Sequence, residues 1–244
     1  PGHGLSAVSP KSFSARPIDS ERFSRESTGI ADIPVAAFTD KVLEGVDLAL
    51  AQGAKKIVAV GHSMGGIPIT LAAAKEPEKF ATLQYIAAIM PFPNNSASVF
   101  LNLPQQINHV DFGNIFFGDP SEIGVFRIDP RSEDRTYQKT LRGALAADLD
   151  DDLLDVVLHH LSPDVTAAIY DASTNFPESY AAINRVFIRC TRDQILAPAT
   201  CDSIVAEMDN TWPSNKAKII DLDTCHSAMF AVPSLLADLM IENA

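Results

Sequence analysis

The chain has 244 residues, 46% of them hydrophobic and 20% charged, which suits one large packed domain or two small ones and excludes a disordered segment. Asp and Glu (31) outnumber Lys and Arg (19), and the net charge of -12 argues against nucleic acid as a partner, because such a surface repels phosphate. No apolar run approaches the roughly 18 residues of a membrane span, and three cysteines, Cys190, Cys201 and Cys225, make neither a disulfide scaffold nor a Cys-x-x-Cys metal site.

Residues 5–34 are rich in Ser, Pro and Arg without a period and read as a long loop, ordered in part by packing. Val35, Phe38, Val42, Val46 and Leu50 recur at helical spacing, and Gly53 is a natural stop. Lys56 to Val60 is a β-branched run that predicts a strand buried on both faces of a parallel sheet. An Ala-rich helix follows to Lys75, and Leu83 to Met90 predicts a second strand. Residues 96–178 read as an insert of short helical pieces between Pro, Gly and Asp breaks, with no convincing strand. Within it, Asp148 to Asp152 precede an amphipathic set from Leu153 to Leu161. Carboxylates there suit the positive end of a helix. A calcium loop is the alternative, but the glycine and distal glutamate of an EF-hand are missing. Arg185 to Cys190 predicts a third strand, Pro198 to Met208 a helix, Lys218 to Leu222 a fourth strand and Pro233 to Ile241 a last helix. Strands alternating with helices imply an α/β fold with a parallel sheet.

The strongest chemical signal is Gly61-His62-Ser63-Met64-Gly65, a G-x-S-x-G pattern between a strand and a helix. On such a turn the serine backbone is strained, and the flanking glycines admit neighbouring segments. The hydroxyl stands at the sheet edge, and the Met64 N–H points where an oxyanion would form. A serine needs a base, and six histidines compete. His3 lies in the terminal loop, and the His62 side chain is expected to diverge from Ser63. His109, His159 and His160 fall in the insert, the last two as solvated or half-buried helix positions. His226 follows the fourth strand and is the best placed. Asp193, just after the third strand, is the preferred carboxylate. Asp221 and Asp223 are rivals, one in or near the strand and the other too close in sequence to His226. The order Ser63, Asp193, His226 is the one an α/β-hydrolase triad follows.

At this point the chain resembles the α/β-hydrolases, and more narrowly the branch of hydroxynitrile lyases, plant-type methylesterases and bacterial salicylate-esterase-like enzymes. The matching pieces are Pro1-Gly2-His3-Gly4, the Gly-His-Ser-Met-Gly-Gly elbow, Tyr85 to Pro91, Arg189 to Asp193 and Asp223 to Ser227. The resemblance implies a mainly parallel sheet flanked by helices, core segments 1–95 and 179–244, and a small helical cap at 96–178. It implies a serine carboxylesterase acting on a small or medium apolar ester, with no metal or organic cofactor. Lactone and C–C hydrolases, hydroxynitrile lyases and non-catalytic binding proteins share the fold. The lyases carry a lysine after the histidine, where this chain has Ser227, Ala228 and Met229, and His62 is the esterase-like residue before the serine. Of the cap aromatics Phe100, Phe112, Phe116, Phe117, Phe126 and Tyr137, some are expected to line the pocket. In the resembled fold two strands, a helix and the loop with the second oxyanion N–H precede Pro-Gly-His-Gly. The expectation is therefore that an N-terminal part of the working protein, that donor included, lies outside this sequence. A reduced hydrolase with a rebuilt oxyanion hole is the alternative. The partner expected is a small-molecule ester. A homodimer is left open, and the cytoplasm is favoured for location without being decided.

Overall fold

The structure is a computed structural model that describes residues 1–109 and 114–244. Four parallel strands, β1 (Ile57–His62), β2 (Phe80–Ile86), β5 (Asn184–Cys190) and β6 (Lys218–Leu222), form the main sheet in the order β1-β2-β5-β6. The residues between β2 and β5 carry a second, antiparallel pair, β3 (Val125–Arg127) and β4 (Asp164–Thr166). The helices are α1 (Ser20–Arg25), α2 (Val35–Ala51), α3 (Gly66–Lys75), α4 (Ser98–Leu101), α5 (Pro104–Ile107), α6 (Pro120–Ile123), α7 (Arg135–Leu145), α8 (Asp151–His160), α9 (Pro198–Thr211), α10 (Ala228–Ala231) and α11 (Pro233–Glu242). None is long and apolar enough to cross a membrane. The core lies where α2, α3 and α9 pack on the sheet around the fully buried Leu83, Tyr85 and Phe187.

Parallel strands all end at one edge of a sheet, and the three residues singled out in the sequence fall at that edge. β1 runs into Ser63, β5 ends shortly before Asp193, and β6 ends shortly before His226.

Four expectations need correction. First, β1 is not buried on both faces. It is an edge strand whose only partner among the described residues is β2, and Val60 is 43% exposed. The β-branched run that made it a strand said nothing about its neighbours. Second, the strand expected over 83–90 spans Phe80–Ile86 instead. Ala87 takes a positive φ of 42°, which breaks the extended run, and residues 87–90 stay buried as irregular chain.

Third, the insert does contain strands. β3 and β4 have three residues each, too few for an alternating pattern. A fully buried ion pair joins them, with Arg127 Nε and Nη2 donating to Asp164 Oδ1 and Oδ2 at 2.7 and 2.8 Å. Thr28 Oγ1 adds a 2.8 Å hydrogen bond to Asp164. Fourth, residues 5–34 are not simply a loop. They hold 3-10 turns at Gly4–Ser6 and Lys11–Ser14, and α1, whose N-cap Asp19 accepts from the Arg22 N–H. Phe23 on α1 is fully buried against Phe117, with ring centroids 5.2 Å apart.

The acidic run behaves as helix chemistry. Asp150 caps α8 by accepting from the Leu153 N–H at 2.8 Å, and Leu154, Val157 and Leu158 are buried. Asp151 pairs with Arg142. Among the described residues no group of three or more His, Cys, Asp or Glu is arranged to hold a metal ion.

Candidate active site

Ser63 has φ 53°, a left-handed conformation that costs a non-glycine residue energy and that the surrounding turn must impose. Two glycines make this turn fit. A Cβ on Gly61 would lie 2.6 Å from the Gly65 carbonyl oxygen, and one on Gly66 would lie 2.4 Å from that of Ile89. The expectation that Gly65 serves close approach is corrected, since a Cβ there would meet nothing within 4 Å. Gly66 is the crowded residue, because α3 starts there against the chain leaving β2. The Ile89 N–H in turn donates to the Ser63 carbonyl at 3.2 Å.

His226 and Asp193 are brought together. His226 Nδ1 donates to Asp193 Oδ2 at 2.7 Å, and both residues are buried. Asp193 Oδ1 accepts the backbone N–H groups of Ile195 and Leu196 at 2.7 and 2.9 Å. With three donors aimed at it, this carboxylate is satisfied as an anion and held in one orientation. Since Nδ1 carries the proton toward the carboxylate, the His226 Nε2 is left with a lone pair.

The rival residues lie elsewhere. Asp221 accepts a two-point ion pair from Arg189. Asp223 sits with Arg192 and Thr191 at the surface. His159 and His160 are exposed on α8. His109 reaches the acid loop but touches its backbone, with Nε2 donating to the Asp193 carbonyl at 2.8 Å. Beside it, the fully buried Gln106 donates to the Ile195 carbonyl and accepts from the Ala197 N–H. The insert thus braces the loop that carries Asp193.

His62 does more than diverge from Ser63. Its Nε2 donates to the His226 carbonyl at 2.8 Å, and the two imidazoles lie 4.6 Å apart. Burial in the first place, and the neighbouring His226 next, push its pKa down to about 3. His62 is therefore a neutral tie between the elbow and the His226 backbone.

Ser63 and His226 open on one cavity of about 900 Å³, walled by apolar groups such as Ile89, Phe116, Phe126, Leu141 and Leu145. Of the aromatics picked from the sequence, Phe116 and Phe126 line it. Phe100 packs on Phe92, while Phe117 and Tyr137 pack on each other. Phe112 lies outside the described residues. Tyr170, which sequence reasoning passed over, also lines the cavity and sets its ring edge on Phe126. No local pattern marks it, because only the fold turns it toward the elbow. All three cysteines are free and buried, and burial raises the Cys190 pKa to about 12, so it is an inert thiol.

This elbow, sheet edge and cavity agree with the relationships of the chain. Residues 1–239 match the alpha/beta hydrolase family, and the chain belongs to it. Among its relatives, Methylesterase 7 of Arabidopsis thaliana is 28% identical over 78% of this chain and 69% of its own length. Methylesterase 1 of the same plant is 26% identical, covering 100% of this chain and 86% of its own. Among solved structures, a pyrethroid hydrolase from Sphingobium faniae JZ-2 superposes with a TM-score of 0.63 at 17% identity, over 96% of this chain and 83% of that one. That likeness is one of fold.

Proposed function

We propose that this chain hydrolyses a small or medium, largely apolar carboxylic ester through an acyl-enzyme. Ser63 is the nucleophile, His226 the general base and acid, and Asp193 the carboxylate that orients the imidazole. The buried 2.7 Å hydrogen bond between His226 and Asp193, with His226 and the left-handed Ser63 on one cavity, carries this reading. The methylesterase relatives support an ester as the substrate class.

The mechanism follows from the groups present. His226 Nε2 takes the Ser63 Oγ proton as that oxygen attacks the ester carbonyl carbon. The carbonyl oxygen becomes an oxyanion, and the Met64 N–H, in the 3-10 turn that leads into α3, stabilises it. The imidazolium then protonates the leaving alkoxide, which departs as the alcohol. Water, deprotonated by His226, attacks the acyl-enzyme carbonyl, and as the bond to Ser63 Oγ breaks the imidazolium returns its proton to that oxygen and the acid leaves. Asp193 stabilises the imidazolium in both steps. Because His62 is neutral, no second positive charge opposes the imidazolium 4.6 Å away.

Turnover of neutral chromogenic short-chain esters tests this reading. Ser63→Ala is expected to lower kcat on the order of 10⁴-fold or more. Activity that survives the substitution would refute Ser63. Cyanide release from a cyanohydrin would favour the lyase chemistry of the same fold instead, against the absence of a lysine in Ser227, Ala228 and Met229.

A further inference from the structure

Asp148 opens the acidic run between α7 and α8, yet it contributes nothing to the start of α8. Asp150 caps that helix and Asp151 pairs with Arg142. The Asp148 side chain is only 16% exposed, and its two oxygens face different loops. Oδ2 accepts the Cys225 N–H at 2.7 Å and the Thr224 hydroxyl at 3.1 Å. Oδ1 lies 3.1 Å from Nη1 of Arg192.

Cys225 is the residue before His226, and Arg192 is the residue before Asp193. One carboxylate from the insert therefore grips the neighbours of both members of the buried pair. Arg192 extends the same seam: its backbone N–H donates to the Thr224 carbonyl at 3.1 Å, and its Nη2 donates to the Asp223 carbonyl at 3.0 Å. From the other side His62 holds the His226 carbonyl. The His226 segment is thus fixed at the N–H before it by Asp148 and at its own carbonyl by His62.

We propose that Asp148 is a positioning residue for the reaction, one that sets the separation of the two loops so that Asp193 and His226 meet. The assignment rests on the reading of those two residues as the acid and base. Only a carboxylate meets all three demands. Two donors converge on one oxygen, and a guanidinium neutralises the other, so the charge is both needed and compensated. The insert then does more than wall the cavity, since it helps hold the machinery beneath it. A misplacement of about 1 Å between catalytic groups is enough to cost on the order of 100-fold in rate.

The test compares Asp148→Ala, Asp148→Asn and the control Asp152→Asn, with kcat and KM expressed per site titrated to completion with a fluorophosphonate, alongside thermal melts. In Asp148→Ala, kcat is expected to fall about 10- to 100-fold with KM within about twofold of the parent. Asp148→Asn keeps an acceptor for the Cys225 N–H but loses the charge facing Arg192. It is expected to lose several-fold in kcat, less than the alanine variant. Asp152, exposed on α8, is expected to leave kcat unchanged. A wild-type kcat per titrated site in Asp148→Asn would overturn the proposal, even if Asp148→Ala failed to fold. So would an equal loss in Asp152→Asn. Activity surviving Ser63→Ala would sink the triad reading itself. An inactive Ser63→Ala with wild-type Asp148 variants would sink only this one.

Discussion

His62 illustrates how much one side chain decides at this site. A histidine in the unfolded chain titrates near 6.5, and burial against His226 lowers His62 to about 3. Between those values the unfolded state binds a proton that the folded state refuses. The contribution of His62 to stability is therefore complete above about pH 6.5 and is lost as pH falls toward 3. The slope reaches at most about 1.4 kcal/mol per pH unit. Urea unfolding across this range should show the parent losing stability more steeply than His62→Gln, which has no proton to take up. Parallel curves would mean that the imidazole is not held neutral. The substitution is also expected to lower kcat, because the His226 carbonyl loses the imidazole that holds it.

At the scale of elements, the strand ends place the residues proposed to act. The turn from β1 into α3 brings Ser63 to the sheet edge only because Gly66 lets α3 approach the chain leaving β2. Gly66→Ala would push a methyl group onto the Ile89 carbonyl, a backbone atom that cannot swing away, and Ile89 also holds Ser63 through its N–H. Melting curves should show a loss of about 1–3 kcal/mol or more, together with impaired turnover. Gly65→Ala, with open space and an ordinary φ of -60°, should be tolerated. Equal effects at the two positions would refute this account of the elbow. Sequence reasoning reached the elbow and the four main strands, and placed Asp193 and His226 just past strand ends, because each rests on local pattern: a β-branched run, a G-x-S-x-G turn, a His or Asp after a strand. It did not give the 43% exposure of Val60, because which strands flank β1 is not written in Ile57 to Val60 themselves. It missed β3 and β4, where one buried ion pair replaces length. It also missed what Asp148 touches, because Cys225 lies 77 residues away and no local periodicity links them.

Across the whole molecule, a four-stranded parallel sheet has two edges and two interior strands. β2 and β5 are paired on both sides, whereas β1 and β6 each have one partner among the described residues. Native-state hydrogen exchange should find β2 and β5, paired on both sides, among the most protected segments. Fast exchange along β2 or β5 would contradict it.

The claim on which the rest depends is that Ser63 is an activated nucleophile in the lining of the cavity. Its most direct measurement is the intact mass and peptide map of the protein after exposure to a fluorophosphonate. The expected result is one phosphonyl group per chain, carried on Ser63, absent from Ser63→Ala and slow to form in His226→Ala. An adduct on another residue, or ester turnover by a protein that takes up no label at Ser63, would contradict it.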